Sequence, residues 1–163
     1  MKPPSRWATA YIGLGANLGD ARDTLSKALN ALAQLPSIVN VQRSAYYRSA
    51  PVQANGPDFV NAVAKLETTL PPKSLLAALQ NVENDFGRQR PYKNAPRTLD
   101  IDLLLYDDLV MDDPVLTLPH PRLHERAFVL LPLKNLAPEL HLAQGSFDTL
   151  LAQCHDQDIS ELP

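Results

Sequence analysis

The stretch Phe59-Val60-Asn61-Ala62-Val63-Ala64-Lys65-Leu66-Glu67-Thr68-Thr69-Leu70 decides the fold of this chain. Its apolar side chains recur at every second position, and this period predicts a strand with one buried face. The preceding segment, from Ile38 to Arg48, is rich in β-branched and aromatic residues and predicts another strand. A loop from Ser49 to Asp58 joins the two. Two strands in direct succession predict a hairpin.

A helix is predicted on each side of this hairpin. Upstream, a buried strand from Thr9 to Leu14 ends in a glycine-rich turn, and a helix follows that begins at the N-cap residue Asp20 and ends before Pro36. Downstream, the pair Pro71-Pro72 opens a second helix that Gly87 ends. The predicted buried stripes are Leu25, Ala28, Leu29, Leu32 and Leu35 in the first helix and Leu75, Leu79, Val82 and Phe86 in the second.

Thr98 to Tyr106 predicts the last strand of the core. The resulting order, strand, helix, strand, strand, helix, strand, is that of a ferredoxin-like βαββαβ domain of the α+β class, with helices on an antiparallel sheet and long substrate loops. Beyond this core, Phe128 to Leu136 predicts a short helix disturbed by Pro132. Apolar residues around Phe147 and Leu150 predict one or two last helical turns.

The composition is that of a single globular domain over residues 1–163. Fifteen Lys and Arg residues against 18 Asp and Glu give a net charge of -3, which argues against a nucleic-acid partner. The one cysteine, Cys154, excludes an intramolecular disulfide and a cysteine-based zinc site. The sequence has no apolar run of about 18 residues and no apolar leader, so no membrane partner is expected. We therefore expect a cytoplasmic protein, and a monomer.

The segment Gly13-Leu14-Gly15-Ala16-Asn17-Leu18-Gly19 follows the first strand and invites a dinucleotide-binding interpretation. Its spacing is GxGxxxG rather than GxGxxG, and a hairpin follows it instead of a βαβ crossover. The sequence also has no GxxxxGK[ST] segment, so it has no P-loop. A tight strand-to-helix turn is the preferred interpretation.

Asp100-Ile101-Asp102 carries the sharpest chemical signal. Residues two apart on a strand point to the same face, so the two carboxylates should lie side by side and repel each other unless a cation lies between them. Oxygen ligands of this kind suit Mg²⁺ together with substrate phosphates. The opposite, core face would hold Leu99, Ile101, Leu103 and Leu105. A solvated strand face is the alternative.

The segment just before this strand is strongly basic. Arg88, Arg90, Lys93 and Arg97 occur within ten residues that include no acid, although the chain is acidic as a whole. Guanidinium groups bind phosphate oxygens with paired hydrogen bonds. A metal-binding carboxylate pair after an arginine-rich loop is typical of phosphoryl transfer. A solvated basic loop is the alternative.

Two smaller signals complete the pattern. His120, between Pro119 and Pro121, is interpreted as a phosphate contact in preference to a simple loop histidine; a zinc site with His124 is disfavoured because no HExxH segment is present. Phe59 and Asn61 share one strand face, where a ring and an amide could stack on and hydrogen-bond to a flat heterocycle. Taken alone this pair is a weak signal, and core packing of Phe59 is the more common role.

These residues lie within a longer resemblance. Lys93 to Leu104, KNAPRTLDIDLL, resembles the signature segment of the 6-hydroxymethyl-7,8-dihydropterin pyrophosphokinases of folate biosynthesis. Other segments match that family in order: Ala10–Gly19, Tyr47–Pro51, Asp58–Ala62, Glu83–Arg88 and Leu118–Phe128. The resemblance covers about residues 8–142 and leaves residues 143–163 as a C-terminal extension.

The resemblance implies transfer of the pyrophosphoryl group of ATP to the hydroxymethyl group of the pterin, with release of AMP. It implies that Asp100 and Asp102 hold two Mg²⁺ ions on the triphosphate and that Arg88 and Arg97 are catalytic. The implied ATP-binding residues are Leu76, Gln80, Glu83, Arg88, Arg90, Lys93, Arg97, Leu103, Thr117, His120 and Arg126. The implied pterin-binding residues are Ser49, Ala50, Val52, Phe59, Asn61, Asp100 and Phe128, with the pterin between the two phenylalanine rings.

Some positions depart from the family pattern. The loop from Arg88 to Arg97 looks one residue shorter than in some relatives, with Asn94 where an aromatic residue often occurs. Pro121 and Phe59 stand where relatives can carry Tyr. Two other functions remain as alternatives, a metal-dependent phosphate or pyrophosphate hydrolase and a ferredoxin-like binding module without catalysis.

Overall fold

Within the residues that the structure describes, the main sheet is antiparallel and has six strands. The computed structural model describes residues 6–17, 20–50, 57–86 and 99–163. The sheet comprises β1 (Ala8–Ala16), β2 (Ile38–Arg43), β3 (Tyr47–Ser49), β4 (Phe59–Thr68), β5 (Asp100–Tyr106) and β8 (Ile159–Glu161). The strands follow the order β5-β1-β4-β3-β8, and β2 also pairs with β4. With two helices between the strands, this arrangement confirms the predicted α+β class and βαββαβ core.

Around the sheet, the described segments of the chain form four helices and a small hairpin. The helices are α1 (Ala21–Ala33), α2 (Pro72–Phe86), α3 (Ala127–Leu136) and α4 (Phe147–Gln153), with a 3₁₀ turn at Leu123–Glu125. The hairpin pairs β6 (Met111–Asp112) with β7 (Thr117–Leu118). In the part of the chain that the structure describes, no helix combines the length and apolar character needed to cross a membrane.

The two predicted helices begin and pack as their sequences indicate. The side chain of Asp20 accepts a hydrogen bond of 3.1 Å from the Asp23 amide, which caps the first turn of α1. The predicted stripe of α1 is buried from Leu25 to Leu32, and the stripe of α2 is buried from Leu75 to Val82. Gly87, the predicted end of α2, lies outside the described residues.

The sheet separates two layers of buried side chains. The cluster on one face includes Ile12, Leu25, Leu66 and Leu75, and it joins the sheet to α1 and α2. The cluster on the other face includes Val63, Leu104, Leu130 and Leu150, and it joins the sheet to α3 and α4. Both faces of the central strands are therefore buried over much of their length, and a binding site needs a place where one cover stops.

The segment from Ile38 to Arg48 forms two strands rather than the single predicted strand. Ser44, Ala45 and Tyr46 separate β2 from β3. At the break, the Ser44 amide donates to the Val63 carbonyl at 2.8 Å and the Val63 amide donates to the Ser44 hydroxyl at 3.0 Å. The serine side chain thus replaces a backbone acceptor, which lets the strand change course without leaving β4 with an unpaired amide.

Two strand predictions need correction. The first strand does not end at Leu14, because β1 continues to Ala16 and includes Gly13 and Gly15; the last glycine of the segment, Gly19, lies outside the described residues. Leu105 does not share the core face of Leu103, because the pairing of β5 with β1 shifts after Leu103. The shift reverses the alternation, so Leu105 packs with the cluster under α3 and α4.

In the C-terminal part both predicted helices are confirmed, as α3 and α4, but two features differ from expectation. Pro132 does not interrupt α3, which runs continuously to Leu136. Proline removes one helical hydrogen bond, but the burial of Pro132, Leu130 and Leu133 against the sheet compensates for that loss. The strand β8 was not predicted; its three residues pair with β3 at the edge of the sheet. The single-domain prediction over residues 1–163 stays a prediction.

Candidate active site

A cleft of about 410 Å³ opens on the sheet face that carries α3. It is bordered by residues of β1, β3, β4 and β5 and by the N-terminal residues of α3. Its lining residues are Gly13, Leu14, Gly15, Ser49, Ala50, Phe59, Asn61, Ala62, Asp100, Asp102, His120, Arg126, Phe128 and Val129. Nine of these were predicted as site residues, so the fold brings together side chains from five separate parts of the chain.

Strand register explains how the floor of the cleft is built. Gly15 pairs with Asn61 on β4 and with Asp100 on β5, and Gly13 pairs with Asp102. Paired residues in an antiparallel sheet project to the same face. The amide of Asn61 and the carboxylate of Asp100 therefore flank a position that has no side chain.

The two glycines keep this floor open. A Cβ atom at Gly15 would lie 3.2 Å from the Asn61 side-chain oxygen and 3.9 Å from the Phe59 ring. A Cβ atom at Gly13 would meet the Leu104 side chain at an ordinary 3.5 Å. The glycine pair was visible in the sequence, but Gly13 and Gly15 lie within β1 on the cleft floor, where the absence of side chains leaves room for close approach to the sheet.

Asp100 and Asp102 form the acidic side of the cleft. Both are half-buried, and the intervening Ile101 is buried in the opposite layer, as the period of two predicted. The Ile101 amide donates to the carboxylate of Glu83 at 2.7 Å. Glu83 on α2 therefore anchors the strand between the two aspartates.

Arg126 faces this acidic side. Its guanidinium lies 3.8 Å from the carboxylate of Asp102 and 5.4 Å from the centre of the Phe128 ring. The long Arg126–Asp102 distance makes a weak ion pair in the free protein. The guanidinium is accordingly placed to turn toward a phosphate without breaking a tight contact.

His120 lies beside Asp102 and Arg126 and is fixed through its backbone. Its amide donates to the Leu104 carbonyl at 2.9 Å, and its Nδ1 accepts from the Arg122 amide at 3.2 Å. Burial lowers the pKa of His120, and the positive charges of Arg126 and Arg122 lower it further, against the opposing effect of Asp102. The ring is therefore neutral near pH 7, and an accepting Nδ1 leaves the proton on Nε2 as a donor.

The opposite side of the cleft is aromatic and amide-lined. Phe59 on β4 and Phe128 on α3 are both half-buried and both border the cleft. The Asn61 side-chain amide donates to the Ser49 hydroxyl at 2.7 Å, and both residues are buried. This bond fixes which atoms of Asn61 face the space between the rings.

Several predicted nucleotide-binding residues lie elsewhere. Leu76, Gln80 and Glu83 are on α2, and the Leu103 side chain is buried among the residues beneath α1 and α2. Thr117 is on β7. None of these lines the cleft in the part of the chain that is described. Val52, Arg88, Arg90, Lys93 and Arg97, together with Asn94, lie outside the described residues, so their predicted roles stay predictions.

Comparison with known proteins shows similarity to one family. The family model described as 7,8-dihydro-6-hydroxymethylpterin-pyrophosphokinase (HPPK) matches residues 11–138. A Pseudomonas aeruginosa protein named 2-amino-4-hydroxy-6-hydroxymethyldihydropteridine pyrophosphokinase is 44% identical over 155 residues, covering 94% of this chain and 96% of the relative. A Haemophilus influenzae protein of the same name is 43% identical over 146 residues, with 89% and 91% covered.

The fold is also found among solved structures. A crystal structure of Plasmodium falciparum HPPK-DHPS superposes with a TM-score of 0.72 at 14% identity, over 93% of this chain and 45% of the other. At that identity the likeness concerns the fold alone. The match of the family model over most of the chain, with relatives above 40% identity along nearly their whole length, shows that this chain belongs to the HPPK family.

Proposed function

We propose that the cleft bordered by Asn61, Asp100 and Phe128 is the active site in which this chain carries out its family's reaction. The chain is an ATP-dependent pyrophosphokinase of folate biosynthesis, which transfers pyrophosphate to hydroxymethyldihydropterin. The observation that carries the site assignment is the row Asn61, Gly15, Asp100 across three paired strands. In this row, the amide of Asn61 and the nearby aromatic rings lie directly beside the carboxylates of Asp100 and Asp102.

The pterin fits the aromatic side of this row. A flat bicyclic ring can stack between Phe59 and Phe128, and the glycine floor lets it approach the sheet closely. Asn61, oriented by Ser49, offers hydrogen-bonding groups to the ring edge, together with backbone groups near Ser49 and Ala50. The hydroxymethyl group would then point along the row toward Asp100.

The donor set on the other side fits magnesium. Asp100 and Asp102 offer only oxygen atoms, which Mg²⁺ prefers, and no group of three or more His, Cys, Asp or Glu side chains among the described residues forms a closed cage. Two carboxylates would supply only part of the ligands of a bound ion, so phosphate oxygens and water would occupy its other coordination positions. When bound, the two Mg²⁺ ions that we propose here would neutralise charge on the triphosphate.

The chain's own residues position the reactants. In the reaction, the hydroxymethyl oxygen bonds to the β-phosphorus, the bond from that phosphorus to the α–β bridging oxygen breaks, and AMP leaves with that electron pair. The hydroxyl proton is released. Arg126 and the Nε2 proton of His120 are placed to hydrogen-bond phosphate oxygens, and Arg88 and Arg97 are proposed to stabilise the transferred group. A cytoplasmic, monomeric enzyme stays a prediction.

The experiment that tests this function is an incubation with ATP and Mg²⁺, with and without 6-hydroxymethyl-7,8-dihydropterin. We expect AMP and the pterin pyrophosphate in equal amounts, and AMP only when the pterin is present. Phosphate or pyrophosphate released without pterin would indicate the alternative hydrolase, which the family membership does not support. An absence of turnover would indicate a binding module.

A further inference from the structure

The first turn of α3 is held by a residue from the far end of the chain. Arg126 occupies the N-cap position, and within the described residues its side chain makes no capping hydrogen bond. Instead the side-chain oxygen of Gln157 accepts a hydrogen bond from the backbone amide of Ala127 at 2.8 Å. The side-chain nitrogen of Gln157 donates to the Glu125 carbonyl at 2.9 Å. One side chain therefore pairs the backbone on both sides of Arg126.

Gln157 is itself held in place on both sides. The backbone amide of Gln157 donates to the Cys154 carbonyl at 2.9 Å, and this bond closes a turn after α4. Directly after it, the Ala50 amide donates to the Asp158 carbonyl, and β8 pairs with β3. The backbone of Gln157 is thus fixed to two elements of the fold, and its two hydrogen bonds transmit that position to α3.

The residues held in this way border the cleft. Arg126 and Phe128 flank Ala127, and both line the proposed active site. A second cavity of about 270 Å³ is lined by Phe128, by Ala50 and by the segment from Asp156 to Ile159. The Phe128 ring therefore packs in part against the cluster under α3 and α4 and borders open space elsewhere, so the place of its backbone decides how far the ring enters the cleft.

We infer that Gln157 is a positioning residue that sets the place of Phe128, and with it the width of the pterin slot, in the reaction of this chain. The inference rests on the proposed placement of the pterin between Phe59 and Phe128. A phenylalanine has two side-chain torsions and follows its backbone closely, whereas the long Arg126 side chain can adjust. Loss of the two hydrogen bonds should therefore affect the pterin more than ATP.

The test uses Gln157→Met, which keeps the length of the side chain and removes both hydrogen bonds. We expect the Kd of the pterin, titrated by calorimetry with a non-hydrolysable ATP analogue and Mg²⁺, to rise about tenfold, in line with the net worth of one or two hydrogen bonds. The Kd of the ATP analogue should change less than about twofold, a smaller effect because the pterin slot alone is displaced. Gln153→Met, at the exposed end of α4, is the matched control and should change neither value.

A double-mutant cycle with Phe128→Ala separates the inference from the function it rests on. If Gln157 acts through Phe128, then Gln157→Met should have little further effect on pterin affinity in the Phe128→Ala background. Full additivity of the two effects, or equal losses for pterin and ATP analogue in the single variant, would overturn the inference. An unchanged pterin Kd in Phe128→Ala alone would instead overturn the proposed placement of the pterin.

Discussion

Gly15 shapes the cleft by having no side chain. It stands between the amide of Asn61 and the carboxylate of Asp100 in adjacent strands, where any Cβ atom would project into the proposed pterin slot. The sequence shows the glycine pair but not its purpose, because a GxG segment after a strand is equally typical of a turn. Only the register of β1 with β4 and β5 distinguishes the two roles.

We expect Gly15→Ala to weaken pterin binding about tenfold, since small misplacements at a reacting centre have large effects. The new Cβ would lie 3.2 Å from the Asn61 oxygen, and Asn61 has little room to move because it is bonded to Ser49. Gly13→Ala is the matched comparison and should cause a smaller loss, because its Cβ meets Leu104 at an ordinary distance. Pterin KM and kcat of both variants give the answer, and equal losses would contradict this account of the floor.

The break between β2 and β3 connects an element to the site. β2 pairs with the C-terminal half of β4, from Ala64 to Thr68. β3 pairs with the N-terminal half, which places Ser49 opposite Phe59 and Tyr47 opposite Asn61. The change of course at Ser44 thus delivers the Ser49 hydroxyl to the amide that it orients. The β-branched and aromatic residues of this segment predict one continuous strand. They give no sign of the break, because the break depends on a single serine hydroxyl.

Ser44→Ala should lower the free energy of unfolding by about 1–3 kcal/mol, because the buried Val63 amide loses its acceptor. Urea unfolding followed by circular dichroism measures the change. Ser160→Ala is the control; its hydroxyl accepts from the exposed Arg48 guanidinium, and the expected change is within about 0.5 kcal/mol. A loss of similar size in both variants would show that the Ser44 hydroxyl does not stabilise the break.

At the scale of the whole molecule, the core and the two C-terminal helices were predictable, whereas the C-terminal strand β8 was not. Helix periods and caps placed α1 and α2, and the succession of strands excluded a βαβ crossover, so the βαββαβ order followed from local signals. The sequence also indicated most of the residues that line the cleft. β8 and the bonds of Gln157 could not be predicted, because three-residue strands and contacts between residues 30 positions apart leave no periodic pattern.

Cys154 provides a probe for this C-terminal part. It is buried at the end of α4, and burial raises the pKa of its thiol, with a further rise from the negative charges of Asp156 and Glu125. Because the thiolate is the reactive form, labelling by iodoacetamide at pH 8 should be slow in the native protein and become fast in urea. Gln157→Met should accelerate the native reaction only slightly. Native labelling as fast as that of free cysteine would show that residues 154–161 are not seated on the fold.

The most direct test of the account as a whole is the initial rate of pterin-dependent AMP formation by Asp102→Asn. Asp102 pairs with Gly13 on the neighbouring strand and lines the cleft together with Arg126 and His120. The loss of its negative charge should remove the proposed metal site and keep the shape of the strand. Asp112→Asn, on the exposed part of β6, is the matched control. We predict a native circular dichroism spectrum for both variants, and a rate for Asp102→Asn lowered by about a thousandfold or more, as expected when several kcal/mol of charge stabilisation are lost. A folded Asp102→Asn variant that forms AMP with Mg²⁺ at a rate close to that of the unsubstituted chain would contradict the central claim.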